Sequence, residues 1–570
     1  MDYITHILVM MSIFIILASS FNLLIGYAGL FALAHAGFFA IGAYTTAILS
    51  TRYGLPFPIP LLIGAVLTAA VGALIALPAL RTSGHYLVII TLAFQVILLA
   101  FLHNVKSLTG GADGITGIGR VSLFGYELAT AAQFLPLAIA MAALCFWICW
   151  RVASSPFGRA LRAMRENEAA VESVGKNILY MKVTSFVVGS ALAAVAGSLY
   201  ARYITFVGVD SFTVDTTIYV LAMVILGGMG NLAGSALGAA ILVLLPELLK
   251  FVDLPPDIAD KSRALIYGLL LIIILRVRPE GLLAERHTAT TQGLAAKAAE
   301  IGASPVAGAG ASGKARPEKD TVTLVGQNLA KRFGGIVAVN DFTIQLKAGT
   351  VVGLIGPNGA GKTTAFNLLT GFLVPTSGKI LYNGRDITGL KPHRIVHSGV
   401  ARSFQDLRLF TRMTALENVM VALPDQSGDN VLSVFTVPGR IAREEVQNYI
   451  RAMDILKFVG LEQKAEETAD NLSYAEEKLL VIARLLATGA DVLLFDEPLS
   501  GLDPNTLRGI FPIIRKLAAD GKTICIIEHN LDVIRSVCDH VVFLDDGRGL
   551  AEGAPEELLA NPALAERYFS

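Results

Sequence analysis

Three short stretches in the C-terminal half carry side chains that can handle a polyphosphate. Gly356-Pro357-Asn358-Gly359-Ala360-Gly361-Lys362-Thr363 follows the apolar run Thr350-Val351-Val352-Gly353-Leu354-Ile355 and precedes a helical pattern. Small residues between a strand and a helix let backbone N–H groups close around phosphates, and the helix N-terminus adds positive potential. Lys362 then reaches the β- and γ-phosphates, the Thr363 hydroxyl serves Mg²⁺, and Thr364 completes the phosphate-contacting stretch. The second stretch, Asp491-Val492-Leu493-Leu494-Phe495-Asp496-Glu497-Pro498, is an apolar strand ending in two carboxylates. Alternation points them differently. Asp496 suits the Mg²⁺ shell and Glu497 suits polarisation of an attacking water. The third, Thr523-Ile524-Cys525-Ile526-Ile527-Glu528-His529, is another strand, and His529 at its end is placed to meet a γ-phosphate.

These stretches need a parallel sheet to bring them together, and from Thr321 onward strands and helices do alternate. The preceding half is different. The chain has 570 residues, of which 54% are hydrophobic and 16% charged, against roughly 25% charged in soluble domains. The apolar excess lies before residue 280. The fold class expected is therefore multi-domain: an all-α polytopic membrane domain at 1–283, a flexible linker at 284–320, and an α/β P-loop domain at 321–570. A formal net charge of zero gives no electrostatic reason for a nucleic-acid partner. The four cysteines, Cys145, Cys149, Cys525 and Cys538, fit neither a disulfide framework nor a zinc site and read as buried thiols.

Apolar runs at about 5–26, 33–50, 59–80, 86–104, 131–150, 183–204 and 262–277 are near the length of a bilayer crossing. The stretch 215–249, broken by Gly227-Gly228-Met229-Gly230-Asn231, reads as two more spans, giving about nine. The first run lacks a basic flank and is read as a span, not a leader. Six basic residues between Arg151 and Lys182, against two in 105–130, place the 151–182 loop in the cytoplasm. Four later crossings put Arg276-Val277-Arg278 there too; five earlier ones put the N-terminus outside.

Polar residues inside these runs (Asn22, His35, His85, Gln95 and Asn104) either bond between helices or mark a solute path; the first role is the commoner. Nearby glycines (Gly26, Gly29, Gly37 and Gly42) permit close helix approach. The segment from Ser155 to Gly175 is an amphipathic helix and its continuation, too polar to span. It lies on lipid headgroups or on the α/β domain. Residues 287–320, rich in Ala, Gly, Ser, Thr and Pro, form a tether with a reach of roughly 30 Å.

Taken together, the C-terminal motifs resemble the ATPase domain of ABC transporters across 321–570. The resemblance implies that Phe333 stacks on adenine and that Gln405, in Arg402-Ser403-Phe404-Gln405, senses the γ-phosphate and reaches the metal. It also implies that Ser500-Gly501-Leu502-Asp503 forms a dimer contact and that His529 is the switch histidine. Phe333-Gly334-Gly335, Phe404–Phe410, Glu528-His529-Asn530 and Asn561-Pro562 resemble the ATPases of branched-chain amino acid systems. Gly26-Tyr27-Ala28-Gly29-Leu30, His35-Ala36-Gly37-Phe38-Phe39, the Ser155–Gly175 loop, Gly227-Gly228-Met229-Gly230 and Pro279-Glu280-Gly281 resemble the matching permease. Such a bacterial inner-membrane importer implies ATP and Mg²⁺, a second permease, a second ATPase, an extracytoplasmic solute-binding protein and membrane lipid. Relatives carry urea, short amides or aromatic acids as well as branched-chain amino acids. An exporter half-transporter shares the domain order but has about six spans with long cytoplasmic extensions.

One motif departs from the family. Its signature, Leu-Ser-Gly-Gly-Gln or close to it, clamps the partner's nucleotide, and here reads Leu472-Ser473-Tyr474-Ala475-Glu476. Ser473 retains the γ-phosphate contact. Glu476 sets a negative charge near a polyanion, which gives either a slow site or a tolerated variant.

Overall fold

The computed structural model describes residues 2–79, 85–123, 126–249, 268–269, 272–273, 276–285, 289–300 and 321–560. It divides into two units. The first comprises Met1–Arg165, Leu179–Arg286 and Asn430–Phe435. The second comprises Glu166–Ile178, His287–Asp429 and Thr436–Ser570.

The first unit is helical. Helix α1 (Asp2–Asn22) runs into a π turn, Leu23–Tyr27. After an irregular stretch come α2 (His35–Tyr53), α3 (Pro58–Ala79) and α4 (His85–Asn104). Helix α5 (Ala131–Ala153) starts on a capping box in which Thr130 and Gln133 satisfy each other's backbone N–H groups. Then follows α6 (Pro156–Glu166); the next helix, α7 (Glu168–Ser173), capped by Asn167, belongs to the second unit. Helices α8 (Ile178–Ile204), α9 (Val214–Gly227) and α10 (Leu232–Leu249) complete the described spans. The glycine turn falls between α9 and α10, as the sequence implies.

Asn22 locks that turn to α1. Its Nδ2 donates to Asn231 O at 2.9 Å and to Ser235 Oγ at 2.5 Å, and Gly230 N donates to its Oδ1 at 2.9 Å. Gly42 and Gly197 allow α2 and α8 to touch: a Cβ on Gly42 would lie 2.3 Å from Ala194 O, and one on Gly197 2.1 Å from Phe39 O.

Among the described residues, six helical segments are long and apolar enough to cross a membrane, and Leu232–Glu247 is a shorter apolar helix. Helix α2 is outside that set because it carries Ala, Gly, Thr and Tyr where the others carry Leu and Ile. The expected ninth span, 262–277, falls mostly outside the described residues, as does Asn561-Pro562. The side chain of His85 lies outside them too.

The second unit is α/β. Strands β1 (Val322–Phe333) and β2 (Ile336–Lys347) pair antiparallel in a four-stranded sheet with β4 (Ser377–Tyr382) and β5 (Arg385–Asp386), in the order β2-β1-β4-β5. The six-stranded sheet contains β3 (Val351–Ile355), β6 (Val400–Arg402), β7 (Val492–Asp496), β8 (Thr523–Ile527), β9 (His540–Asp545) and β10 (Arg548–Gly553). Its order is β6-β7-β8-β3-β9-β10, parallel except for the last pair. Strands β3, β7 and β8 are buried at every residue, as near-continuous apolar runs in a covered parallel sheet must be.

The tether reading needs correction at 289–300, where Ala289–Glu300 forms a helix that packs on Pro438–Phe458. Ala and Lys there favour helix, and Leu294 supplies one buried apolar contact. All four cysteines are free and buried.

Candidate active site

Parallel strands end on the same side of a sheet, so the neighbours β7, β8 and β3 present their carboxyl ends together. Asp496 and Glu497 leave β7, Glu528 and His529 follow β8, and the glycine loop follows β3. Gly356 has φ +151°, and a Cβ there would lie 1.9 Å from Leu544 O; Gly361 has φ +101° and would meet Ala338 O at 2.4 Å. No other residue fits either place. Helix α11 (Lys362–Leu369) starts directly after Gly361. Lys362 is buried, and its Nζ donates to Gly356 O and Pro357 O, both at 2.8 Å. Burial pulls its pKa down, while Glu497 and Asp496 push it back up. Asn358, Gly359 and Thr363 are exposed, Pro357 and Thr364 half-buried, and Ala360 buried.

Asp496 is only 2% exposed. Its N–H donates to Ser403 Oγ at 3.0 Å, and its Oδ2 accepts from Arg402 Nη2 at 3.1 Å. Its Oδ1 has no partner among the described residues. Burial raises its pKa, with Arg402 opposing. A buried carboxylate oxygen left open beside the phosphate loop fits a hard cation such as Mg²⁺. Thr363, exposed at the start of α11, is the other oxygen donor beside the loop.

Glu497 adopts φ +48°, a conformation disfavoured for a side chain of its size. It is held from three directions: its N–H donates to Ile527 O at 2.9 Å, and its carbonyl accepts from Lys478 Nζ at 2.8 Å and Ser500 Oγ at 3.2 Å. Its Oε1 lies 3.2 Å from His529 Nε2. The turn thus aims the carboxylate at His529. Glu528, 1% exposed, accepts from Leu499 N at 2.8 Å, and burial pushes its pKa up to about 7.

The structure therefore brings Lys362, Asp496, Glu497 and His529 together around the loop. Among the described residues no hydrogen bond joins Phe333, Gln405 or Ser473 to that group. Phe333 is half-exposed at the end of β1, with Lys331 Nζ 5.3 Å from its ring centroid. Gln405 is exposed in the loop after β6. Ser473 caps the helix Tyr474–Ala487, and Glu476 reaches back, its Oε2 accepting from Ser473 N and Oγ, both at 2.8 Å.

Sequence reasoning missed two supports. Arg402 is buried, donating to Asp496 and, at 2.5 Å, to Asn367 Oδ1, with its guanidinium 4.6 Å from the Phe404 ring centroid. Arg484 is buried too, donating to Arg408 O at 2.7 Å and Leu407 O at 3.2 Å, and so holds the loop after Gln405. An arginine inside an apolar helical face was the available signal for Arg484.

A phosphate loop, a carboxylate pair and a strand-end histidine on one parallel sheet, joined to a helical unit with membrane-length spans, define an ATP-binding cassette joined to a permease. Residues 3–275 match the family described as the permease component of the branched-chain amino acid transport system, and 339–500 match the family described as ABC transporter. The high-affinity branched-chain amino acid transport ATP-binding protein BraF of Pseudomonas aeruginosa is 40% identical over 244 residues, 42% of this chain and 95% of that protein. The LivG protein of Escherichia coli K12, of the same description, is 38% identical over 242 residues, 42% of this chain and 95% of that protein. The permease protein LivM of the same organism is 37% identical over 294 residues, 48% of this chain and 68% of that protein. The chain belongs to the branched-chain amino acid transport family of ABC transporters, with permease and ATP-binding portions on one polypeptide. It is a multi-pass membrane protein with a cytoplasmic ATPase domain that hydrolyses ATP, and the family implies partner subunits.

Proposed function

We propose that this chain imports branched-chain amino acids at the expense of ATP, with the permease at 1–283 and the ATPase at 321–570. The single observation that carries the reading is the assembled Lys362–Asp496–Glu497–His529 group on a chain whose other half is a permease. The glycine loop and the α11 N-terminus bind the phosphates, and Lys362 offsets their charge. Thr363, Asp496 and Gln405 are the residues that would hold Mg²⁺, which supplies charge neutralisation at the phosphates when bound. Glu497 orients the attacking water, His529 steadies Glu497 and meets the γ-phosphate, and Phe333 stacks on the base. Ser473 faces the nucleotide of a second ATPase. A second permease and an extracytoplasmic solute-binding protein complete the assembly, because one chain carries one of each required pair.

The contacts of Glu166–Ile178 inside the second unit support its role as the element that takes up ATPase motion. Lys176 Nζ donates to Asp429 Oδ2 at 2.6 Å and to Leu423 O at 3.1 Å, and Glu166 Oε2 accepts from Arg412 N at 3.1 Å. Uptake of labelled leucine by cells expressing this chain with its partner subunits, beside Lys362→Ala, tests the reading. Uptake that vanishes in the variant is expected. Absent uptake in the parent, with ATP hydrolysis intact, overturns the choice of solute.

A further inference from the structure

Helix α2 begins in the interior of the first unit. His35, its first residue, is 1% exposed and lies beside Leu17, Ser20 and Phe21 of α1. Three helices surround this first turn. His35 Nε2 is 3.0 Å from Ser20 Oγ and 3.2 Å from Leu17 O on α1. Ala36 N donates to Thr217 Oγ1 of α9 at 3.1 Å. On the α4 side, a Cβ on Gly37 would lie 2.6 Å from Gln95 Oε1.

The bonding leaves two acceptors open. Leu17 O can only accept, so His35 Nε2 carries the hydrogen; Ser20 Oγ already donates to Leu17 O at 2.9 Å and accepts from the ring. His35 Nδ1 then holds a lone pair, and among the described residues it has no partner. Gln95, fully buried, donates its amide to Phe212 O at 2.7 Å, and its Oε1 likewise has no partner. Buried acceptors are seldom left open without a role. Around them stand Phe21, stacked on His35 at 4.4 Å, then Phe38 and Phe94.

An interior helix start inside a membrane protein favours an anionic group through its N–H dipoles. The neighbouring acceptors favour a donor, and the phenyl rings favour an apolar side chain. One small molecule carries all three features: an α-amino acid with an apolar side chain. We propose that the first turn of α2, with His35 and Gln95, is the station where the permease holds its solute in transit. The ammonium faces His35 Nδ1 and Gln95 Oε1, and the carboxylate faces the helix start. This inference rests on the import reading above. Both side chains are closed off from solvent, so the solute enters as α4 separates from the α2 turn.

The test uses the whole chain with its partner subunits and reads labelled-leucine uptake, solute-free ATP hydrolysis and melting temperature. Gln95→Met removes the acceptor and keeps volume. His35→Gln keeps a donor near the Nε2 position and removes the Nδ1 acceptor. Each is expected to raise the KM for leucine about tenfold, as loss of a hydrogen bond to a charged group does, with solute-free hydrolysis and melting unchanged. An unchanged KM in both variants overturns the station, as does a parallel fall of uptake, hydrolysis and melting in both. A parent that takes up no leucine sinks the import reading instead, which separates the two failures.

Discussion

Arg165 and Glu285 form an ion pair, Nη2 to Oε2 at 2.7 Å, beside the two points where the chain leaves the first unit. Arg165 is the last residue before Glu166–Ile178, and Glu285 precedes Arg286, the last before His287. Arg165 Nη1 also donates to Gly26 O in the π turn, and a Cβ on Gly29 would lie 2.8 Å from Arg165 Cγ. The pair is mostly buried, and breaking it costs on the order of 3 kcal/mol. Arg165→Ala is therefore expected to lower the melting temperature of the detergent-solubilised protein by several degrees. The reversed pair, Arg165→Glu with Glu285→Arg, should recover part of the loss. A double-mutant cycle with no coupling energy would show that the pair does not act as a clamp.

The site predicts a split between binding and chemistry. Lys362→Ala should abolish ATP binding, since the loop loses its cation and the two carbonyl bonds that shape it. Glu497→Gln should still bind ATP but hydrolyse it about 10²-fold more slowly or worse, the usual share of a positioned base. Equilibrium nucleotide binding beside phosphate release checks both; a Glu497→Gln variant with parental turnover would remove Glu497 from the mechanism.

Much of this was legible because local patterns are short-range. The apolar runs of β3, β7 and β8 and the glycine loop identify themselves, and the parallel sheet then brings their ends together. Arg402 and Glu528 were not legible in the same way. Their partners, Asp496 and Leu499, are distant in sequence, and only the strand order β6-β7-β8 makes them neighbours. Helix α2 was legible as a helix but not as an interior one, since burial depends on the three helices around it. The helix at 289–300 was missed because its Ala-rich composition suits tether and helix alike, and Leu294 is one apolar residue without a period.

Glu476 offers a third prediction. Its carboxylate accepts from Ser473 N and Oγ, so it occupies the helix start that would otherwise favour a partner's phosphate. A charge at such a place is worth about 0.3–1 kcal/mol, or roughly two- to fivefold. Glu476→Gln keeps an acceptor for Ser473 and removes the charge. ATP turnover by the whole assembly should rise by that factor at saturating nucleotide. Turnover that stays level would identify Glu476 as a cap without influence on the composite site.

Glu528 gives the pH prediction. Burial raises its folded pKa to about 7, whereas an unfolded glutamate titrates near about 4.3. Between those values the folded protein holds a proton that the unfolded chain has lost. Stability from this residue is therefore full below the unfolded pKa and falls as pH rises through about 7. At pH values above that window the buried charge costs about 2–4 kcal/mol, from 1.36 kcal/mol per unit. Glu528→Gln keeps the acceptor for Leu499 N and cannot ionise. Its melting temperature should exceed the parent's at about pH 8 and approach it at about pH 4, below the unfolded pKa, where the glutamate is neutral in the folded and the unfolded chain alike. A gain of equal size at both pH values would show that packing, and not the buried charge, sets the cost at this position.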